Sequence, residues 1–201
     1  MKTAKRITGL LLVALGLLAG CAKAEPAAFY IEKAELTESE KQIASLLGAD
    51  MGSIILDFHA DDQLHQISFQ LYQLDGAQWE PISGGGGISI EQGEGRIAIS
   101  TDTLLTTRRI AIQSKNELTA SSYSIPEEPL PEGMGRTTSY LSDRTEFTYG
   151  QEVPLIIQIL TSKNEVQSYD VDTFATPQRY AEHGYEQVYA LTVTFRTEKL
   201  T

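Results

Sequence analysis

Beyond the first 29 residues, the hydrophobic period of the chain changes near position 48. Before position 48, Ile43, Leu46 and Leu47 recur at helical spacing behind Thr37-Glu38-Ser39-Glu40. That tetrapeptide reads as a capping box, in which Thr37 and Glu40 each satisfy the other's amide, and Gly48 supplies a stop. The spacing predicts a helix over 38–47 whose single apolar stripe covers a sheet. From Ile54 onward the period is two. Ile54, Leu56 and Phe58 alternate with Ile55, Asp57 and His59, and Ile67, Phe69 and Leu71 alternate with Gln66, Ser68 and Gln70. Asp75-Gly76 supplies the positive φ angles of a tight hairpin turn. The return strand carries Trp79, and Pro81 pushes it towards a sheet edge because it cannot donate to a ladder. Further strands are expected at Gly87–Glu91, Arg96–Ser100 and Arg108–Gln113.

The alternation fails over 115–146. Pro126, Pro129, Pro131, Gly133 and Gly135 fall within ten residues, so this stretch reads as one long exposed excursion, either functional or mobile. The pattern resumes at Phe147. Residues 153–161 are apolar on both faces, as expected of a central strand. Ser162-Lys163-Asn164-Glu165 turns that strand back into Val166–Val171. Thr176 and Pro177 open a short helix that Gly184 ends. The last strand, Gln187 to Thr197, turns Leu191, Val193 and Phe195 to the core and Thr192, Thr194 and Arg196 to water or a partner. Short strands with frequent turns imply a mainly β fold, an antiparallel β-sandwich with one or two short covering helices.

The first 21 residues follow a different rule. Lys2, Lys5 and Arg6 precede an apolar run from Ile7 to Leu18, and small residues lead to Cys21. A bilayer span needs about 20 apolar residues, so this run reads as a signal helix at 1–20 and not as a membrane span. Leu18-Ala19-Gly20-Cys21 resembles the lipobox of bacterial lipoproteins. The resemblance implies cleavage before Cys21, acylation of its sulfur, and a lipid anchor on the extracytoplasmic face of the cell membrane. Two acyl chains give a stable anchor, at about 0.8 kcal/mol per buried methylene. In Gram-negative members of the family an Asp after the cysteine marks inner-membrane retention; here the residue is Ala22. Residues 21–29 then form a tether of roughly 25 Å when extended, and 30–201 a single domain. The body is similar to the C-terminal portions of uncharacterised lipoproteins of Gram-positive bacteria. The similarity rests on the turn Thr161-Ser162-Lys163-Asn164 and on His183-Gly184-Tyr185-Glu186, which stands where those proteins carry Tyr-Gly-Tyr-Glu.

Composition narrows the function. Cys21 is the only cysteine, so no internal disulfide forms and the domain must stand on its core. Residues 1–20 hold three of the 16 basic and none of the 27 acidic residues, which leaves the cleaved chain near −14. Such a surface excludes nucleic acid as a partner and leaves attachment to the lipid. The remaining 181 residues are few for a two-lobed solute-binding protein.

Candidate chemistry is sparse. Asp57, His59, Asp61, Asp62 and His65 lie within nine residues and carry donor atoms suited to zinc, but Asp61-Asp62-Gln63 looks like the turn of a hairpin and the spacing matches no zinc signature. Asp170 and Asp172 resemble half a calcium loop without its Gly or its bidentate Glu. Glu127-Glu128 could form the carboxylate pair of a glycosidase, and Pro126-Glu127-Glu128-Pro129 a polyproline ligand. Gly84 to Gly87 lacks the Lys-Ser/Thr of a phosphate loop and reads as a flexible connector. Tyr72, Trp79, Tyr140, Tyr185 and Tyr189 could build a sugar or peptide platform. No serine lies in Gly-x-Ser-x-Gly. Catalytic residues, metal ligands and cofactors are therefore assigned to none of these positions, and Cys21, as the lipid attachment site, is the one functional residue named. The sequence points to a non-enzymatic binding or assembly module that meets an envelope protein or a carbohydrate. The alternative is a cell-envelope enzyme or carbohydrate-binding accessory with its site near 115–146.

Overall fold

A computed structural model describes residues 29–46, 52–115, 117–124 and 133–200. The signal segment, Cys21, Gly48, Glu127, Glu128 and the Pro126–Pro129 motif lie outside these residues. The architecture is an antiparallel β-sandwich. Strands β1 (Tyr30–Lys33), β2 (Ser53–His59), β5 (Glu94–Thr101), β6 (Thr107–Ser114), β7 (Glu117–Ser124) and β9 (Thr145–Glu146) form one sheet, in the order β7-β6-β5-β2-β1-β9. Strands β3 (Gln66–Asp75), β4 (Gln78–Ser89), β8 (Gly135–Tyr140), β10 (Glu152–Thr161) and β11 (Gln187–Arg196) form the other, in the order β4-β3-β11-β10-β8.

The two-residue period builds the core as expected. Ile54, Leu56 and Phe58 of β2 and Ile97 and Ile99 of β5 point inward against Ile67, Phe69 and Leu71 of β3 and Val193 and Phe195 of β11, all nearly fully buried. Phe195 is the bridge between the sheets. Its ring lies 5.5 Å from Phe58 and stacks on Phe147 at 4.1 Å, with the planes 10° apart. Each large side chain removed from water this way stabilises the fold by roughly 1.5–3 kcal/mol. Phe29 packs on Phe147 and Tyr149, so the last residue of the expected tether already packs against the core.

Several expectations are corrected. Residues 115–146 are not one irregular excursion, for β7, β8 and β9 fall within them. The Gly84–Gly87 run is not a connector; it lies inside β4, where Gly87 pairs with Ser68 and Gly84 with Gln70 across a bulge. Pro81 does stand on an edge strand. Val166–Val171 forms no strand. Residues 162–186 instead cross the outer face of the five-stranded sheet through a 3-10 turn (Val171–Ala175) and helix α2 (Gln178–Ala181). Thr192 and Thr194, expected to meet water, are buried on that outer face, where Thr192 Oγ1 donates to Glu152 Oε1 at 3.0 Å. They share a face with Tyr72, Trp79 and Phe174, and Trp79 Nε1 donates to Phe174 O at 2.8 Å.

A bulge between Pro154 and Ile156 shifts the facing of β10. It turns Gln158 inward opposite Tyr189, and Ile157 and Ile159 outward under the crossing. Gln158 is buried yet satisfied. Its Oε1 accepts from Leu104 N at 2.9 Å, and its Nε2 donates to Thr138 Oγ1 at 3.1 Å.

Candidate binding face

The outer face of the six-stranded sheet is made by the positions that alternate with the core. In β5 and β6 these positions sit in two similar triplets, Ile97-Ala98-Ile99 and Ile110-Ala111-Ile112. The isoleucines point inward, so the alanines point out. The register aligns Ile55 with Ala98, Ala98 with Ala111, and Ala111 with Ala120. A row of apolar side chains, one isoleucine and three alanines, therefore crosses four adjacent strands on the solvent side. An antiparallel sheet open to water normally carries polar residues there.

Two rows flank it, polar except for Leu118 at the end of the first. One aligns Asp57, Arg96, Gln113 and Leu118; the other aligns Ser53, Ser100, Arg109 and Ser122. Leu118 is 69 % exposed.

Helix α1 (Glu38–Leu46) stands over the β2 end of this face. The expected capping box is present: Thr37 N donates to Glu40 Oε2 at 2.7 Å, and Glu40 N to Thr37 Oγ1 at 3.3 Å. The expected burial is not. The helix has no buried residue, and Ile43 and Leu46 are 58 % and 87 % exposed. A polar tie holds it to the sheet instead. Arg96 donates from Nη1 to Glu40 Oε1 at 2.9 Å and from Nε to Asp57 Oδ1 at 2.7 Å. The Thr37 amide, the Thr37 hydroxyl and the Arg96 guanidinium together lower the Glu40 carboxyl to about 2. The bond to Asp57 raises Arg96 further above its already high value.

Because α1 rests on its ion pairs and not on its apolar stripe, a groove remains on each side of it. One, of about 580 Å³, lies between Leu36, Ala44, Ile55 and Tyr140. The other, of about 560 Å³, runs between Ile43 and Ala44 of the helix and Ala98 and Ala111 of the sheet, with Arg96 and Arg109 at its borders.

The residues singled out from sequence are dispersed. Asp57 is engaged by Arg96. His59 stacks on Tyr30 at 5.5 Å and lies 3.7 Å from Glu94. Asp61 accepts from the Tyr149 hydroxyl at 2.5 Å, which lowers its carboxyl. Among the described residues no group of three or more His, Cys, Asp or Glu side chains is placed to hold a metal ion. Asp170 and Asp172 line a shallow polar depression with Tyr169 and Arg179. The aromatic residues do not form a common platform. Tyr189 is in the core, Tyr72 and Trp79 pack on Phe174, and Tyr185 stacks on His183 at 5.3 Å.

Sequence reading missed the face because its cue is an absence of polarity at outward positions. The two Ile-Ala-Ile triplets carry that cue, but only the strand register makes them a surface. Comparison with protein-family models, curated proteins and solved structures returns no match.

Proposed function

We propose that this protein is a lipid-anchored, extracytoplasmic binding and assembly module that acts without catalysis. Its contact surface is the outer face of the six-stranded sheet beside α1, and its partner is an envelope protein that lays an apolar segment along Ile55, Ala98 and Ala111. The observation that carries this reading is the in-register apolar row left open beneath a helix whose own apolar residues are exposed. A continuous apolar strip on a strongly acidic protein marks an interaction site. The lipobox at Leu18–Cys21 supports the location, and the few residues between Cys21 and Phe29 keep the domain within roughly 25 Å of the membrane surface. A binding role is further supported by how the conspicuous carboxylates are used. Glu40 and Asp57 hold Arg96, Glu152 accepts from Tyr72 and Thr192, and Glu186 accepts from Ser162.

Two measurements test the reading. Metabolic labelling with a palmitate analogue should mark the wild-type chain and not Cys21→Ser, which should leave the membrane fraction; label retained by Cys21→Ser overturns the anchor. A photo-crosslinking residue at Ala111 should capture a heterologous envelope protein in cells, and Ala98→Glu should abolish the adduct. An adduct that persists with Ala98→Glu, or that forms only from positions within 133–146, moves the site away from this face and towards the alternative near 115–146.

A further inference from the structure

Among the described residues, each sheet of the sandwich ends in strands whose outer edges pair with no further strand, and natural proteins blunt such edges against pairing with another chain. Three of the four edges here are blunted. β4 carries Pro81 and two bulges. β9 is two residues long. β8 is six residues long, and its Arg136 bonds to the backbone oxygen of Asp102. The fourth edge is different. β7 runs for eight residues, Glu117-Leu118-Thr119-Ala120-Ser121-Ser122-Tyr123-Ser124, without proline, lysine or arginine. It pairs with β6 residue for residue and without a bulge. Its one charge is Glu117, at its first position, and Leu118 stands exposed beside it.

We infer that β7 is a docking strand for a second copy of this chain, the two β7 strands pairing antiparallel about a two-fold axis with Ala120 opposite Ala120 of the second copy. Three features select this occupant and this register. An antiparallel pair sets directly opposite residues on the same sheet face, so the Ala120 pair lies on the outer face. The row Ile55-Ala98-Ala111-Ala120 then runs unbroken into its own symmetry copy, doubling the apolar strip. Leu118 comes opposite Ser122, which shields an otherwise exposed side chain. Charge sets the direction of pairing. In this register the two Glu117 carboxylates sit at opposite ends of the new pair, separated along the strands by roughly 20 Å at about 3.4 Å per residue, whereas a parallel in-register pair would set them side by side. The isologous contact closes on itself and stops at two copies. Eight residues a side cover less than the roughly 1,200–2,000 Å² of standard stable interfaces, so the dimer is reversible and depends on concentration. None of this depends on the lipid anchor.

The chain's one cysteine is Cys21, and Cys21→Ser leaves a background without thiols. Ala120→Cys, Glu117→Cys and, on the opposite sheet's edge, Glu80→Cys are introduced singly into the full chain carrying Cys21→Ser, purified in detergent and oxidised over a concentration series beside Cys21→Ser alone. A disulfide needs Cα atoms about 4.4–6.8 Å apart. A covalent dimer is therefore expected for Ala120→Cys and not for Glu117→Cys, Glu80→Cys or Cys21→Ser alone. In sedimentation equilibrium, wild type should show a concentration-dependent dimer that Ala120→Lys loses, because two like charges then face each other across the axis. Position 120 is exposed, so the lysine leaves the fold intact, which an unchanged melting curve verifies. Equal cross-linking at 117 and 120, or a wild type that stays monomeric throughout, overturns the inference.

Discussion

Arg96 on β5 donates to Glu40 on α1 at 2.9 Å and to Asp57 on β2 at 2.7 Å, so one guanidinium joins a helix without buried residues to the sheet beneath it. A helix with no apolar burial depends on such ties and on its cap, since nine residues are too few for independent helicity in water. Arg96→Met should raise hydrogen exchange in the amides of 41–46 at neutral pH while the core strands stay protected. Unchanged exchange in α1 would mean that the tie does not hold the helix.

The same contact has a pH signature. The Glu40 carboxyl is lowered from 4.5 to about 2, first by the Thr37 amide, then by the Thr37 hydroxyl, then by Arg96. A lowered carboxyl stabilises the folded state above its unfolded pKa, and that contribution is lost as pH falls through the folded value. The tie should therefore be complete above about pH 4.5 and fade between there and about 2. A carbon-detected NMR titration should place the Glu40 midpoint near 2. In Arg96→Met the midpoint should rise and still stay below 4.5, because the two Thr37 bonds remain. A wild-type midpoint at the ordinary value would remove the bonded geometry.

Gln158 is 1 % exposed, and its amide serves the connection between β5 and β6 through Leu104 N. Gln158→Leu fills the space but leaves that amide without its acceptor, and a buried unsatisfied donor costs about 1–3 kcal/mol. Urea unfolding should show a lower midpoint at an unchanged slope, which reports lost stability without a change in exposed area. A variant as stable as wild type would mean that the Leu104 amide finds another partner.

Gln158 also shows where sequence pattern stops being informative. The alternation of Ile54 to His59, Ile67 to Leu71 and Leu191 to Phe195 identifies inward positions because the inward face of each strand carries its large apolar residues, and the capping box and the Asp75-Gly76 turn are local devices read from adjacent residues. The bulge at Pro154–Ile156 is different. It re-aims every later residue of β10, and nothing within that run of apolar side chains distinguishes one facing from the other. β7 escapes the pattern for the opposite reason. Its inward positions are Thr119, Ser121 and Tyr123, while Leu118 and Ala120 point out, so an edge strand that buries little looks like a loop. The candidate face needs the register of four strands at once, which is information held between segments and not within any of them.

The burial of both faces of β11 sharpens one stability contrast. Val193 is fully buried between the sheets, and Thr194 is 4 % exposed on the opposite face of β11. An unpaired buried carboxylate costs several kcal/mol against a typical total of about 5–15. Val193→Asp and Thr194→Asp should therefore both unfold the domain or lower its melting point sharply. Ser122→Asp, on exposed β7, should stay within about 0.5 kcal/mol of wild type. A mild effect of Thr194→Asp would show that a carboxylate at 194 reaches water from that face.

The glycine run in β4 makes the last prediction, through backbone geometry alone. Gly84 has φ +123° and pairs with Gln70, and a Cβ there would stand 2.4 Å from the carbonyl oxygen of Phe69. That oxygen belongs to a strand whose side chains fill the core, so it cannot retreat without moving Phe69 and Leu71. Gly86, two positions along the same strand, has open space where a Cβ would stand. The two substitutions add the same methyl group to one strand, which makes them a matched pair. Gly84→Ala combines a left-handed backbone, costing about 1–2 kcal/mol for a residue with a Cβ, with a contact that must displace the bulge. Gly86→Ala meets neither obstacle and removes freedom from the unfolded chain, worth about 0.4–1 kcal/mol in favour of the fold. Thermal melts should therefore move in opposite directions, down for Gly84→Ala and level or up for Gly86→Ala. If both fall equally, the run is a tract of interchangeable glycines, and the bulged register between β3 and β4 is wrong.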